Sequence, residues 1–430
     1  MQLTVLDPGH FHAALLQKKD YPDVDRLVRV YAPAGPDLDD YLHKIAGYNA
    51  RAQAPTHWQV EAHTSADYFE RFLADRPGSM AVIAGNNRRK TEYIARAISV
   101  GMHVLADKPM VIDRTGFDML PWVFIEAAKK EVLLYDIMTE RHEITTMLQK
   151  SFSQMPAVFG QLSTGTLADP AVTKESIHHF SKMVSGAPIK RPAWFFDVTQ
   201  QGEGLVDITT HLVDLVQWEC FPDRIIDYHT DIEVISAWRW PTMLTREQFA
   251  HVTTLTDFPP FLQSSVGADG NLQVYANGEI NYRINDVHAK VSVRWNFEAE
   301  AGAGDSHFSV MRGTRTNLVI RQGAAEAHQP TLTIEPVPGI ARADLQRALQ
   351  QAMPLIQENY PGVSVEPAGD GWKVIVPAVF HVGHEAHFGQ VVDQFLGYVK
   401  AGKLPDWEVP NMLAKYWTTT NALASARTAP

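Results

Sequence analysis

Residues 1–138 alternate short apolar runs with segments of helical periodicity, and this rhythm constrains the fold more than any other property of the chain. Strand-like runs lie at 3–6, 27–31, 57–62, 80–84, 103–106 and 132–137. Helix-like segments lie between them at 12–18, 37–45, 66–73, 91–99 and 117–130. Such a series predicts a doubly wound parallel sheet with right-handed crossovers, the Rossmann arrangement. Ligands of such sheets bind beyond the carboxyl ends of the strands, so residues at those ends are the first candidates for a site.

The first run leads into Asp7-Pro8-Gly9-His10-Phe11-His12. A dinucleotide-binding turn carries Gly-x-Gly-x-x-Gly here, so that backbone can approach a pyrophosphate at a helix start. Only the middle glycine, Gly9, is present, and Asp7 and His12 take the outer positions. Gly9, His10, Phe11 and His12 are the candidate phosphate contacts, although either histidine reads equally well as a plain loop residue. The second run ends Val30-Tyr-Ala-Pro33, with no acidic residue for an adenosine ribose and no arginine for a 2′-phosphate. The local sequence therefore does not choose between NAD and NADP. Asn86 and Asn87 follow the fourth run and join the cofactor candidates. The fifth ends Asp107-Lys108-Pro109; the proline favours extended backbone before it, which can aim Lys108 into a cleft or leave it on the surface.

A second segment carries chemistry. In Gly202-Glu-Gly-Leu-Val-Asp207-Ile-Thr-Thr-His211-Leu-Val-Asp214, apolar residues recur at helical spacing and predict a helix over 204–219. Asp207, His211 and Asp214 would then share one face. A carboxylate beside an imidazole fixes its tautomer and raises its basicity, as a general base requires. An ordinary surface Asp–His pair has the same spacing.

The remaining chain of 430 residues is too long for one core, and two domains are expected, residues 1–140 and 141–430. Residues 230–330 are rich in strand-like segments and predict a large, mostly antiparallel sheet, with Asn277-Gly278 as a hairpin turn. Asp370-Gly371 marks another hairpin, and 386–428 reads as two helices split by Gly402-Lys-Leu-Pro405. No run of 18 apolar residues predicts a membrane span. The absence of a visible signal peptide and the single Cys220 fit a cytoplasmic protein. A net charge of −11 argues against nucleic acid as a partner. His381, His384 and His387 invite a metal reading, but spacings of three and six converge poorly on a helix. A cluster lining a cleft or interface is the expectation, with no metal ligand assigned anywhere.

Asp107-Lys108-Pro109 after His103-Val-Leu-Ala resembles the Glu-Lys-Pro signature of the Gfo/Idh/MocA (glucose–fructose oxidoreductase/inositol dehydrogenase) family. The segment from Gly202 to Asp214 resembles that family's glycine-rich turn followed by Asp-x-x-x-His-x-x-Asp. The resemblance covers residues 3–220, extends in character to about 330, and leaves 325–380 as an insertion. It implies a Rossmann domain followed by an α/β domain with a large sheet. It also implies NAD or NADP as cofactor and hydride transfer to or from a sugar, polyol or related carbohydrate. Lys108, Asp207 and His211 take the catalytic positions. On this reading His211 removes a hydroxyl proton, Asp207 orients His211, and Lys108 stabilises the oxygen. Glu140, Arg141, His179, Trp194, Asp197 and Asp214 are the candidate substrate contacts. Family analogy implies a homodimer or tetramer. A glycosidase or lyase working by transient oxidation, or a non-catalytic sugar or nucleotide sensor, are the competing functions.

Overall fold

The computed structural model describes residues 1–76, 78–184, 187–300 and 303–428. The first part builds β1 (Leu3–Leu6), α1 (His12–Leu15), β2 (Leu27–Tyr31), α2 (Pro36–Ala50), β3 (Gln59–His63) and α3 (Tyr68–Asp75). It continues with β4 (Met80–Ile83), α4 (Lys90–Ser99), β5 (His103–Ala106), α5 (Arg114–Lys129) and β6 (Leu134–Asp136). All pairings are parallel, in the order β3-β2-β1-β4-β5-β6. The direction of winding reverses between β1 and β4, where doubly wound sheets open a ligand crevice. β1 and β4 are buried throughout, as strands covered on both faces must be. Local signals set the helix starts: Pro36 opens α2, and the Asp113 side chain accepts from Gly116 N to cap α5.

The second part follows with α6 (Ile144–Ser153), β7 (Val172–Ser181), β8 (Met183–Val184), β9 (Ala187–Pro188), α7 (Val198–Gln201) and α8 (Thr209–Cys220). Next come β10 (Ile232–Leu244), α9 (Arg246–Thr253), β11 (Leu272–Ile284), β12 (Val287–Glu298), β13 (Ser306–Arg312) and β14 (Thr316–Arg321). The chain then builds β15 (Thr331–Pro336), α10 (Arg342–Asn359), β16 (Ser364–Ala368), β17 (Gly371–Ile375), α11 (His384–Ala401) and α12 (Glu408–Thr428). Nine strands form one sheet in the order β10-β11-β12-β7-β13-β14-β15-β17-β16. Every pairing in it is antiparallel except β12 with β7. This is the α/β architecture expected from the sequence, a Rossmann sheet followed by a large mixed one. Residues 331–375 extend that sheet at one edge rather than forming a separate body. No helix among the described residues is long and apolar enough to cross a membrane.

Two expectations need correction. Asn277-Gly278 is not a turn but lies within β11. Gly278 is needed there because a Cβ would meet the Leu205 side chain at 2.5 Å, and the Asn277 side chain bridges Trp240 O and Trp295 N. The helix expected over 204–219 starts only at Thr209. Gly204 approaches β11 so closely that a Cβ would lie 2.0 Å from Ala276 O, and its N–H donates to Tyr275 O. That contact holds the segment before α8 in turns.

The two cores are not sequential. Phe388, Val391, Val392 and Phe395 of α11 and Met412 and Tyr416 of α12 pack into the core of the first sheet. A buried ionic network joins the same elements. Arg141 donates bidentately to Asp214 (Nε–Oδ2 and Nη2–Oδ1 both 2.7 Å) and to Glu408 Oε1 (2.7 Å). Lys415 bridges Asp214 (2.8 Å) and Asp136 (2.7 Å), and Tyr416 donates to Asp136 (2.8 Å). β6, α8 and α12 are thereby locked together behind the crevice.

Candidate active site

Lys108 leaves the end of β5 through a cis bond to Pro109. Its ammonium, almost fully buried, pairs with Asp207 Oδ1, and Gln201 Nε2 donates to Asp207 Oδ2 (3.1 Å). His211 sits in the first turn of α8 with Nδ1 buried and unpartnered among the described residues. Burial, reinforced by the Lys108 charge, pushes its pKa down to about 3, so the imidazole is neutral. Asp207 thus braces Lys108; its two side-chain bonds go to Lys108 and Gln201, not to His211. Because the helix starts late, Asp207, His211 and Asp214 do not form the expected stripe. Asp214 instead joins the network behind α8.

Lys108, Asp207 and His211 open onto one cavity of about 790 Å³, which His10, Phe11 and His12 also line. Of the six substrate candidates, Glu140 lines this cavity. Its carboxylate faces His384 Nδ1 at 3.4 Å. Burial works against ionisation there, but the His384 contact holds the carboxyl well below the usual carboxylate range. Arg141 and Asp214 belong to the buried network, and His179 turns its Nδ1 to Asp305 (3.1 Å). Asp197 caps α7 and meets Arg88 (3.3 Å). The Trp194 indole N–H donates to Asp37 Oδ2 (2.7 Å) beside Gly9. These five lie outside the cavity lining.

The cavity also takes in residues that strand-level reading passed over. His307 and Asp305 enter near the start of β13, where polar side chains carry no helical or strand periodicity to mark them. Asp305 accepts from His178, His179 and Lys182. His381, His384 and His387 all reach the lining around the start of α11.

At the turn after β1, Asp7 adopts the left-handed φ of 51° that the missing first glycine would supply. Burial and the neighbouring Asp37 push its pKa up to about 6. The space over Gly9 is filled: a Cβ would meet Asp37 Oδ2 at 2.9 Å and Trp194 Cζ2 at 3.3 Å. Asn86 and Asn87 do not reach the cavity. Asn86 donates to Gln200 Oε1 (2.7 Å) and Asn87 to Gln201 O (2.6 Å), tying β4's end to α7.

Several imidazoles are held neutral by burial, with pKa values near 3 for His211 and near 4 for His142, His307 and His387, against an ordinary 6.5. The unfolded chain therefore takes up protons first. Stability is full above pH 6.5 and falls as pH drops toward 4. One such group costs about 2 kcal/mol between pH 7 and pH 5. Thermal unfolding at the two pH values is expected to show a clearly lower midpoint at pH 5; equal midpoints would show that these rings are not buried neutral.

A doubly wound sheet whose fifth strand ends in a lysine, lining one cavity with a histidine from the segment that carries the second sheet, marks an oxidoreductase. The chain belongs to the family described as "Putative oxidoreductase C terminal domain", whose family model matches residues 148–427. It is 53% identical to a "putative oxidoreductase" from Parabacteroides merdae ATCC 43184, covering 99% of this chain and 97% of that one with a TM-score of 0.97. A levoglucosan dehydrogenase in complex with NADH shares 12% identity over 99% of this chain and 97% of that one, with a TM-score of 0.63. Biliverdin reductase from Synechocystis sp. PCC 6803, in complex with biliverdin and NADP⁺, shares 12% over 99% of each chain, with a TM-score of 0.60. At such identity the likeness is one of fold alone. None of the curated proteins compared with the chain matches it.

Proposed function

We propose that this chain is a Gfo/Idh/MocA-type, NAD(P)-dependent oxidoreductase acting on a sugar, polyol or related carbohydrate. The observation that carries this reading is the convergence of Lys108, Asp207 and His211 on one cavity beside the switch point of the sheet. On the same reading residues 1–140 are the dinucleotide domain and 141–430 the substrate domain. The cavity walls support a carbohydrate: charged and imidazole groups suit hydroxyls, and the aromatic faces of Phe195 and Trp295 suit the apolar faces of sugar rings.

The residues fit a nicotinamide dinucleotide. Gln201, which lines the cavity, keeps a buried acceptor, Oε1, without a partner among the described residues, and a ribose hydroxyl or carboxamide would supply its donor. Phe11 and Lys108 would hold its nicotinamide side, and Gly9, Trp194 and Asp37 would lie against the remainder. The bound nicotinamide supplies the hydride acceptor or donor. Lys108 donates a hydrogen bond to the substrate oxygen and stabilises alkoxide charge. His211 accepts the hydroxyl proton; charge developing on that oxygen raises the imidazole's proton affinity as the proton moves. Asp207 and Gln201 fix where the Lys108 ammonium points.

A panel of sugars and polyols, assayed with NAD and NADP through absorbance of the reduced cofactor, tests the reading. No turnover with any polyol or sugar, and no dinucleotide binding, would reject it. Asp37 sharpens the expectation. It follows the Gly35-Pro36 turn rather than ending β2, yet its carboxylate stands beside Gly9. A like charge there opposes a 2′-phosphate, so kcat/KM is expected to favour NAD by about tenfold or more. Asp37→Asn should narrow that ratio, and an unmoved ratio would remove Asp37 from cofactor selection.

A further inference from the structure

We propose that His10, His12 and Asp107 form a binding site for a divalent transition-metal ion of the Zn²⁺ or Co²⁺ type, opening onto the catalytic cavity. Ligand atoms of the three residues all lie within 4.8 Å of one another. His12 Nδ1 is 3.0 Å from Asp107 Oδ2, and His10 Nδ1 is 3.6 Å from the same oxygen. Ligands about 2.1 Å from a shared metal, at tetrahedral or octahedral angles, stand roughly 3.0–3.4 Å apart. The two nitrogen–oxygen spacings are therefore close to coordination spacing, and the whole set lies within 4.8 Å.

A second observation points to a missing partner. Asp107 is buried, and its Oδ1 has no hydrogen-bond partner among the described residues. A buried carboxylate oxygen left unpaired is costly, and a cation that the carboxylate grips through both Oδ1 and Oδ2 satisfies it. Lys90 Nζ binds the Asp107 main-chain carbonyl (3.0 Å), so it does not occupy the carboxylate. Phe388 packs on the His12 ring and Phe11 on the His10 ring, giving the apolar surround that fixes ligand rings.

The sequence adds weight of its own. His12 stands where the dinucleotide fingerprint has its third glycine, and Asp107 stands where the Glu-Lys-Pro signature has glutamate. These two departures, 95 residues apart, touch each other. Two histidines and one carboxylate leave coordination positions free, the pattern of reactive rather than structural metal sites. His10 and His12 line the cavity shared with Lys108 and His211, so the free positions accept an oxygen of a ligand bound there.

The test uses the full chain stripped with a chelator, then titrated with Zn²⁺ and, separately, Co²⁺, with Mg²⁺ as control. Neither sugar nor dinucleotide is present, so the outcome is independent of the proposed reaction. The expected result is one Zn²⁺ per chain and a Co²⁺ visible spectrum, with affinity falling at least about tenfold in His12→Gly and in Asp107→Asn. His12→Gly restores the fingerprint glycine, and circular dichroism with thermal unfolding verifies that each variant is folded. If a variant does not fold, His10→Ala gives the same readout. His384→Ala and His387→Ala remove two further cavity histidines and should leave the affinity unchanged. The proposal is overturned if wild type and the folded variants bind alike, if Mg²⁺ competes equally, or if binding is lost in the His384 or His387 variants instead.

Discussion

Replacing His211 with alanine is expected to lower turnover by about 10²–10⁴-fold while dinucleotide binding persists, because a positioned proton acceptor contributes on that scale. The residue lines the cavity, while its Nδ1 is buried without a partner among the described residues, and the ionic network behind α8 does not use it. Lys108→Ala should be of similar severity for a different reason. It removes the charge that stabilises the substrate oxygen and also leaves the buried Asp207 with Gln201 but without its counter-charge. Steady-state kinetics with a fluorescence titration of the reduced cofactor measures both effects. Unchanged turnover in His211→Ala would move the proton to another group, of which Glu140 is the nearest in kind.

The largest effect on stability is expected from Asp214→Ala. This carboxylate is the hub between Arg141 and Lys415, all fully or almost fully buried. The Arg141 and Lys415 charges hold it well below the usual carboxylate range even though burial opposes ionisation. Removing it leaves Arg141 to Glu408 alone and Lys415 to Asp136 alone, and taking one partner out of a buried ionic network costs about 3–5 kcal/mol. Chemical denaturation should show a matching drop in the midpoint at unchanged slope. A loss below about 1 kcal/mol would mean that water or Glu408 compensates. Because Asp214 is three residues from His211 on α8, a folded Asp214→Asn variant should also lose kcat more than it gains KM.

Much of the first sheet was legible because parallel strands buried on both faces spell themselves as short apolar runs. Lys108 and His211 were legible for another reason: each sits in a local motif at the end of a recognisable element. The rest was hidden by distance or by tertiary override. Arg141 meets Glu408 across 267 residues, and no local pattern announces such a pair. Asn277-Gly278 reads as a turn on propensity, but its glycine serves the packing of Leu205 against β11. Trp194 and Asp197 carry the composition of a sugar site, yet one covers the β1 turn and the other caps α7. Asp37 escaped notice because it selects its position through a turn rather than through the end of β2.

The return of α11 and α12 to the first sheet has a consequence for how the protein is made. A chain emerging from the ribosome presents β1 to β6 long before Phe388, Phe395, Met412 and Tyr416 exist to cover one face of that sheet. The nascent first half therefore waits with apolar surface exposed, and its closure comes only once the segment through Tyr416 has been synthesised. Fragments ending near residue 140 should for the same reason be sticky rather than independently folded, and a chaperone that shields such a face during translation would act on the first half, not the last.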